Sequence, residues 1–153
     1  MNRAVFPGSF DPITTGHENI VRRAALLFDE IYVSVGSNSK KNSMFSEAQR
    51  IDWLEKVFSD LDNVKITQYT GLTIDHAKKL EARFLIRGVR NGGDFEYERT
   101  IAQMTKYMDP GLETVILFTD PEHAAINSTV VREILKNKGD VKQFVPQVIR
   151  SDF

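Results

Sequence analysis

The chain has 153 residues, 41% of them hydrophobic and 27% charged, with twenty basic against twenty-one acidic side chains for a formal charge of −1. That length supports one buried core, the composition is that of an ordinary soluble globular protein, and near-neutrality excludes a global field that would gather nucleic acid or an anionic membrane. The absence of cysteine excludes disulfides, thiolate metal sites and a cysteine nucleophile and fits a reducing cytoplasm, while no apolar run approaches the ~18–20 residues of a membrane span.

Residues 3–6 (Arg-Ala-Val-Phe) are a short, mostly apolar run that suits a buried strand. Pro7-Gly8 ends it and Asp11-Pro12 adds a second turn signal; the same residues interrupt the early apolar run that a signal peptide would need. Gly16-His17 opens a segment with apolar residues at Ile20, Val21, Ala24, Ala25, Leu27 and Phe28, which is helical spacing. A strand thus runs through a small-residue loop into a helix start. Unpaired N–H groups and the positive end of the helix dipole meet there and favour an anion such as phosphate. A histidine at that point adds a directed donor, neutral or charged near physiological pH.

Residues 31–35 (Ile-Tyr-Val-Ser-Val) form a second expected strand, closed by Gly36. Residues 37–43 are a polar loop holding Lys40-Lys41. Ser46-Glu47-Ala48-Gln49 matches a capping box ahead of a helix through Trp53, Leu54, Val57 and Phe58. Residues 64–67 alternate as a third strand, and Gly71 and Thr73 introduce a helix carrying Ile74, Ala77 and Leu80. Residues 83–86 make a fourth strand ending at Arg87-Gly88-Val89-Arg90. After a break at Asn91-Gly92-Gly93, Asp94-Phe95-Glu96-Tyr97-Glu98 leads into a helix to about Met108, stopped by Asp109-Pro110-Gly111. Residues 113–118 are a fifth strand. Asn127-Ser128-Thr129 caps a helix from Val130 to about Lys136, which Gly139 ends; residues 140–144 suit a helical turn, and the tail after Pro146 carries no pattern.

Strand and helix alternate about five times, and the strands are apolar enough to be covered on both faces. This predicts an α/β chain: one Rossmann-like, doubly wound domain over residues 1–153 with a five-stranded parallel sheet. Such sheets bind ligands outside the carboxyl ends of their strands, and the unusual polar residues fall there. Ser9 and His17 follow strand one, Lys41 strand two, Thr73 strand three, Arg87 and Arg90 strand four, and Ser128 and Thr129 strand five. Several cations and two helix starts around one crevice describe a polyphosphate site.

Each signal also has a plainer use. His76 and His123 read as cap or surface residues, and the lysine pair as a solvated loop. Glycine between Arg87 and Arg90 allows a ligand close to the backbone, yet both arginines have carboxylates in reach at Asp94, Glu96 or Glu98. Ser128-Thr129 is a helix cap first, and Phe10, Phe95 and Tyr97 read as core. Their joint placement on one rim is what favours a site.

Ser9-Phe10-Asp11-Pro12 with Gly16-His17, then Ile86-Arg87-Gly88-Val89-Arg90, Asp94-Phe95-Glu96-Tyr97-Glu98 and Ile126-Asn127-Ser128-Thr129 resemble the bacterial phosphopantetheine adenylyltransferases in order and spacing over nearly the whole chain. The Gly-His element alone marks the wider nucleotidylyltransferase superfamily. The resemblance implies transfer of AMP from ATP to 4′-phosphopantetheine, giving dephospho-coenzyme A and pyrophosphate, with Mg²⁺ on the ATP phosphates rather than on protein side chains, in a cytoplasmic homohexamer without nucleic-acid or membrane partners. Carried over by position, Ser9, Phe10, His17, Gly88, Val89, Arg90, Glu98, His123, Ala124, Ala125, Ile126, Asn127, Ser128 and Thr129 contact ATP. Ser9, Lys41, Thr73 and Arg87 contact phosphopantetheine, with Lys40 as a rival for Lys41. His17 matches the transition-state stabiliser, and Ser9, Lys41 and Arg90 assist it. Two positions depart from the pattern: Asn127 stands where the family has serine, and Asn42-Ser43 replaces a lysine-proline pair. The alternatives are another small nucleotidylyltransferase, acting on nicotinate mononucleotide or on a sugar or glycerol phosphate, and a non-catalytic nucleotide-binding protein.

Overall fold

A computed structural model describes residues 1–37 and 42–153. Five parallel strands, β1 (Arg3–Gly8), β2 (Glu30–Gly36), β3 (Val64–Tyr69), β4 (Phe84–Val89) and β5 (Glu113–Phe118), lie in the order β3-β2-β1-β4-β5. The helices between and after them are α1 (Thr15–Ala24), α2 (Glu47–Val57), α3 (Thr73–Lys79), α4 (Gly92–Met108) and α5 (Ser128–Lys136). This is the doubly wound order with its reversal between β1 and β4, where such folds place a ligand crevice. The register shows how the crevice opens. β1 pairs with β2 along its whole length, from Arg3↔Glu30 to Gly8↔Val35. With β4 it pairs only at Ala4↔Phe84 and Val5↔Leu85, and the two strands then part towards their carboxyl ends.

Alternation along each strand sorts the core into two layers. Ala4, Phe6, Ile31, Val33, Val35 and Ile86 face α1 and α2, meeting Ile20, Val21, Ala24, Trp53, Leu54 and Val57. Val5 and Leu85 face the other way, against Ile74 and Ala77 of α3. Arg87 shares Leu85's side of β4 and pairs with Glu98, so α4 packs on that second side.

Several boundaries differ from expectation. The first helix begins at Thr15, capped by Thr14, and stops at Ala24; Leu27, which extends the apolar spacing, is exposed. The expected break at Asn91-Gly92-Gly93 is the first turn of α4, because the Asn91 side chain accepts the Asp94 N–H at 2.9 Å. Asn127 caps the last helix in the same way, bonding the Val130 N–H at 2.9 Å, so α5 starts at Ser128. At Ser46 the forward half of the box is made, Gln49 N–H to Oγ at 3.2 Å. The patternless tail forms a 3₁₀ turn over Gln147–Asp152 and packs on α2: Phe153 lies against Trp53 with ring centroids 5.0 Å apart, and Trp53 Nε1 donates to Asp152 Oδ2 at 2.8 Å. Phe95 and Tyr97 are not core either, being 38% and 65% exposed on α4.

Candidate active site

A cavity of about 370 Å³ occupies the gap where β1 and β4 part. Of the residues singled out in the sequence, Ser9, Phe10, His17, Arg87, Gly88, Arg90, Glu98, Ile126, Asn127 and Ser128 line it, joined by Thr14, Asp94, Tyr97 and Thr119. Val89, Thr73, His123, Ala124, Ala125 and Thr129 do not. Val89 is buried. Thr73 opens α3 and bonds the Tyr69 hydroxyl at 2.8 Å. His123 sits behind Gly16, against the start of α1. Lys40 and Lys41 lie outside the described residues.

His17 is held by the helix that carries it. It occupies the third position of α1, where its backbone N–H donates to Thr14 Oγ1 and its Nδ1 accepts the Thr14 backbone N–H at 3.0 Å. This is a capping box with histidine in the place usually taken by glutamate or glutamine. Because Nδ1 is an acceptor, the neutral ring carries its proton on Nε2, and the tautomer is set by the backbone. Phe10 fixes the ring from one side, edge-on with centroids 5.1 Å apart. Burial, then the positive charges of Arg90 and Arg87, push the imidazole down to about 4, so near neutral pH the site holds a neutral N–H donor.

That displacement has a signed consequence. An unfolded imidazole takes a proton near pH 6.5, the folded one only near 4. Between those values the unfolded chain binds more protons, so stability falls as pH drops through that window and is untouched by this group above it. Ring ¹⁵N titration of the free protein is expected to show the Nε2–H tautomer persisting at pH 5; a midpoint near 6.5 contradicts the arrangement.

The loop between β1 and α1 is tied from three directions. Phe10 has φ 49°, a left-handed conformation rare outside glycine, and its ring folds back over Gly8, where a Cβ would meet Phe10 Cζ at 2.9 Å. Arg50 of α2 donates to the Ser9 carbonyl at 2.7 Å. From α5, the Ser128 hydroxyl donates to Pro12 O and Arg132 to Asp11 O, each at 2.8 Å. The start of α5 is thereby locked beside the start of α1. Asn127, which lines the cavity, spends its carbonyl on the cap, so its amide N–H₂ is the donor it can offer a ligand.

Asp11, read from the sequence as a turn former and as part of the Ser9-Phe10-Asp11-Pro12 block, has a further task. Its carboxylate is 4% exposed as a residue and accepts the backbone N–H groups of Met44 and Phe45, both at 2.9 Å. It anchors the segment that follows the lysine loop. Asp11→Ala leaves two donors unpaired, and urea denaturation is expected to show a loss of about 1–3 kcal/mol; wild-type stability would remove the anchor.

Arg87 and Arg90 are both partnered. Arg87 bonds Glu98 twice at 2.8 Å and reaches across the gap to Pro7 O at 3.1 Å. Arg90 bonds Asp94 through Nε at 2.8 Å, and that guanidinium holds the Asp94 carboxyl below its usual range. Gly88 between them is needed first for packing, since a Cβ there would meet Ile20 Cγ1 at 3.3 Å. His76 is neither cap nor surface. It is buried, stacked on Tyr69 with centroids 4.4 Å apart, and bonded to Ser34 Oγ at 3.0 Å. Of the missed residues, Thr14 was findable as a cap three places before His17; Asp11, Arg50 and Arg132 act over 33 or more positions and leave no local signal.

The arrangement presents a neutral N–H donor, two arginines and two adjoining helix starts to one cavity. It suits two phosphate groups held side by side, with charge growing on one of them.

Comparison with known proteins agrees. The family described as cytidylyltransferase-like matches residues 5–134. The chain is 45% identical over 152 residues to the phosphopantetheine adenylyltransferase of Phocaeicola vulgatus, covering 99% of this chain and 100% of that one. It is 48% identical over 146 residues to the enzyme of the same name from Cytophaga hutchinsonii, covering 95% and 97%. Among solved structures, a bifunctional NMN adenylyltransferase/ADP ribose pyrophosphatase from Francisella tularensis superposes with a TM-score of 0.74 at 18% identity, over 94% of this chain and 44% of that one. A chain of similar length from Vibrio parahaemolyticus gives 0.68 at 18%, over 97% and 96%. At those identities the structures speak for the fold alone.

Proposed function

Since the chain belongs to the phosphopantetheine adenylyltransferases of the cytidylyltransferase-like family, we propose that its rim joins the adenylyl group of ATP to the phosphate of 4′-phosphopantetheine, releasing pyrophosphate. The observation that carries this is His17: a neutral imidazole, its Nδ1 spent on the backbone, offers Nε2–H to the cavity that Arg87 and Arg90 border.

A phosphate oxygen of phosphopantetheine attacks the α-phosphorus in line. A new P–O bond forms, the bond from the α-phosphorus to the bridging oxygen breaks, and pyrophosphate leaves with the electron pair. The nucleophile is already an anion, so no general base is required. The obstacle is the approach of two anions and the charge that builds on the α-phosphate. Positioning and fixed donors overcome it, with no covalent intermediate. His17 Nε2–H donates to the α-phosphate as that charge grows, and Ser9 orients the same group. Arg87 with Lys41 holds the acceptor phosphate. Arg90, the Asn127 amide and the free N–H groups at the start of α5 receive the β- and γ-phosphates. Phe10, Gly88 and Ile126 wall the nucleotide, and Thr73 serves the acceptor from the β3 side.

Mg²⁺ would come to this site with the nucleotide and would offset the triphosphate charge. Among the described residues no three His, Asp or Glu side chains group to hold an ion, and the carboxylates at the cavity, Asp94 and Glu98, are held by arginines.

In this reading the reaction runs in the cytoplasm, a compartment that suits a chain without cysteine. The working assembly is a homohexamer. What supports a self-interface is the outer stripe of α4, where Tyr97, Ile101, Met104 and Met108 stand exposed at helical spacing. Light scattering is expected to give the mass of six 17.4-kDa chains, and a monomer would overturn the assembly.

The test of function is pyrophosphate release from MgATP with phosphopantetheine, nicotinate mononucleotide or glycerol 3-phosphate as acceptor. Release that depends on phosphopantetheine is expected. Release with another acceptor alone, or with none, overturns the proposal.

A further inference from the structure

Arg87 and Arg90 leave β4 three residues apart, and α4 meets each with a carboxylate, four residues apart on one face. Glu98 takes Arg87 through two parallel bonds, from Nε and from a terminal nitrogen, both at 2.8 Å. Asp94 takes Arg90 through Nε at 2.8 Å and a terminal nitrogen at 3.2 Å, and also accepts the Arg90 backbone N–H at 3.1 Å. The Glu98 side chain is only 8% exposed, so its pair is largely withheld from water.

On charge alone these carboxylates are in the wrong place. A site for two phosphorylated substrates gains from cations, and each carboxylate cancels one cation while repelling the incoming phosphate. Geometry supplies their purpose. A guanidinium on a flexible stem offers five donors in one plane, and a bidentate partner fixes where that plane points. Arg87 spends three of the five on Glu98 and Pro7 O, so two terminal N–H groups remain, aimed by the pair.

We infer that Glu98 and Asp94 are positioning residues, each aiming one arginine for a different substrate: Glu98 sets Arg87 for the acceptor phosphate, and Asp94 sets Arg90 for the departing phosphates of the nucleotide. This rests on the roles given to the two arginines above. It also gives Glu98 a different task from the direct ATP contact that the family resemblance implies.

The test is steady-state kinetics of Glu98→Gln and Asp94→Asn with each substrate varied in turn. The amides keep size and one acceptor but lose the second bond and the charge. Glu98→Gln is expected to raise KM for phosphopantetheine about tenfold, the worth of one charge-assisted hydrogen bond, with KM for ATP near wild type. Asp94→Asn is expected to do the reverse. Pure electrostatics has the opposite sign, because each change makes the site more positive. A KM for phosphopantetheine that falls or stays constant in Glu98→Gln therefore overturns the inference. So does a rise in KM for ATP alone, which makes Glu98 a direct nucleotide contact. A merely structural role lowers the melting temperature without splitting the two KM values. If Glu98→Gln fails to fold, Asp94→Asn decides, since Asp94 sits at the rim with a quarter of its side chain exposed. A wild type that ignores phosphopantetheine ends the proposed function and this inference with it; an active wild type with unsplit variants ends the inference alone.

Discussion

Replacing His17 with alanine is expected to lower kcat by ~10²–10³-fold, the usual cost of removing a donor used chiefly in the transition state, while ATP affinity stays close to wild type. The split follows from what the ring does before and during the reaction. In the resting protein Nδ1 is occupied by the Thr14 N–H and the ring is neutral, so it adds no net charge to attract a triphosphate. Ground-state binding falls to Arg90 and the start of α5. Nε2–H becomes valuable only when charge accumulates on the α-phosphate, and it is already aimed there by the helix. Single-turnover rates and calorimetric ATP affinity, measured on the same variant, separate the two effects. Weakened ATP binding with turnover intact would make His17 a binding residue instead. The capping box adds a control. Thr14→Ala removes the cap hydroxyl but leaves the backbone N–H that sets the tautomer, so it is expected to cost about 1 kcal/mol of stability and much less turnover than His17→Ala.

The largest stability effect is expected at Trp53. Trp53→Ala should cost about 3–5 kcal/mol in urea denaturation, the range for deleting a large buried aromatic. Trp53 is 2% exposed, packs edge-on against Phe45 at 4.8 Å and also on Phe153, and bonds Asp152. Removing it opens a cavity in the larger core layer and releases the carboxyl-terminal turn from α2. Trp53→Phe separates the parts, since it refills much of the volume without the indole N–H, and is expected to lose less than half as much. A loss of under ~1 kcal/mol for Trp53→Ala would show that this layer collapses around the gap.

How far the sequence revealed the molecule depended on the range of the forces involved. Alternating strands and helices are local patterns, and they identified five parallel strands. Because parallel strands bring their carboxyl ends to one edge, Ser9, His17, Arg87, Arg90 and Ser128 could be brought to one crevice without a contact being known. What escaped was longer-ranged or one-sided. Leu27 continues the spacing of α1, but apolar periodicity does not say where a helix stops, and it ended in solvent. Phe95 and Tyr97 look like core by composition, yet α4 turns Asp94 and Glu98 towards the arginines, which carries the aromatics outwards. Asp11 sits in a turn signal, and nothing nearby hints that its carboxylate captures two N–H groups 33 and 34 residues away. The tail after Pro146 shows no periodicity because a 3₁₀ turn of six residues has too little length to display one. Carboxylates near Arg87 and Arg90 were visible, whereas their pairing as Arg87–Glu98 and Arg90–Asp94 was not. Lys41, the cation given to the acceptor, lies outside the described residues.

One measurement bears on the convergence of both phosphates more directly than any rate: a crystal structure of the protein with dephospho-coenzyme A, which holds the two joined phosphates in one molecule. The diphosphate is expected in the gap between β1 and β4, with one phosphate within ~3 Å of His17 Nε2 and the other within that distance of the Arg87 guanidinium. A diphosphate bound elsewhere, or in the gap with Nε2 turned away from it, would contradict the site described here.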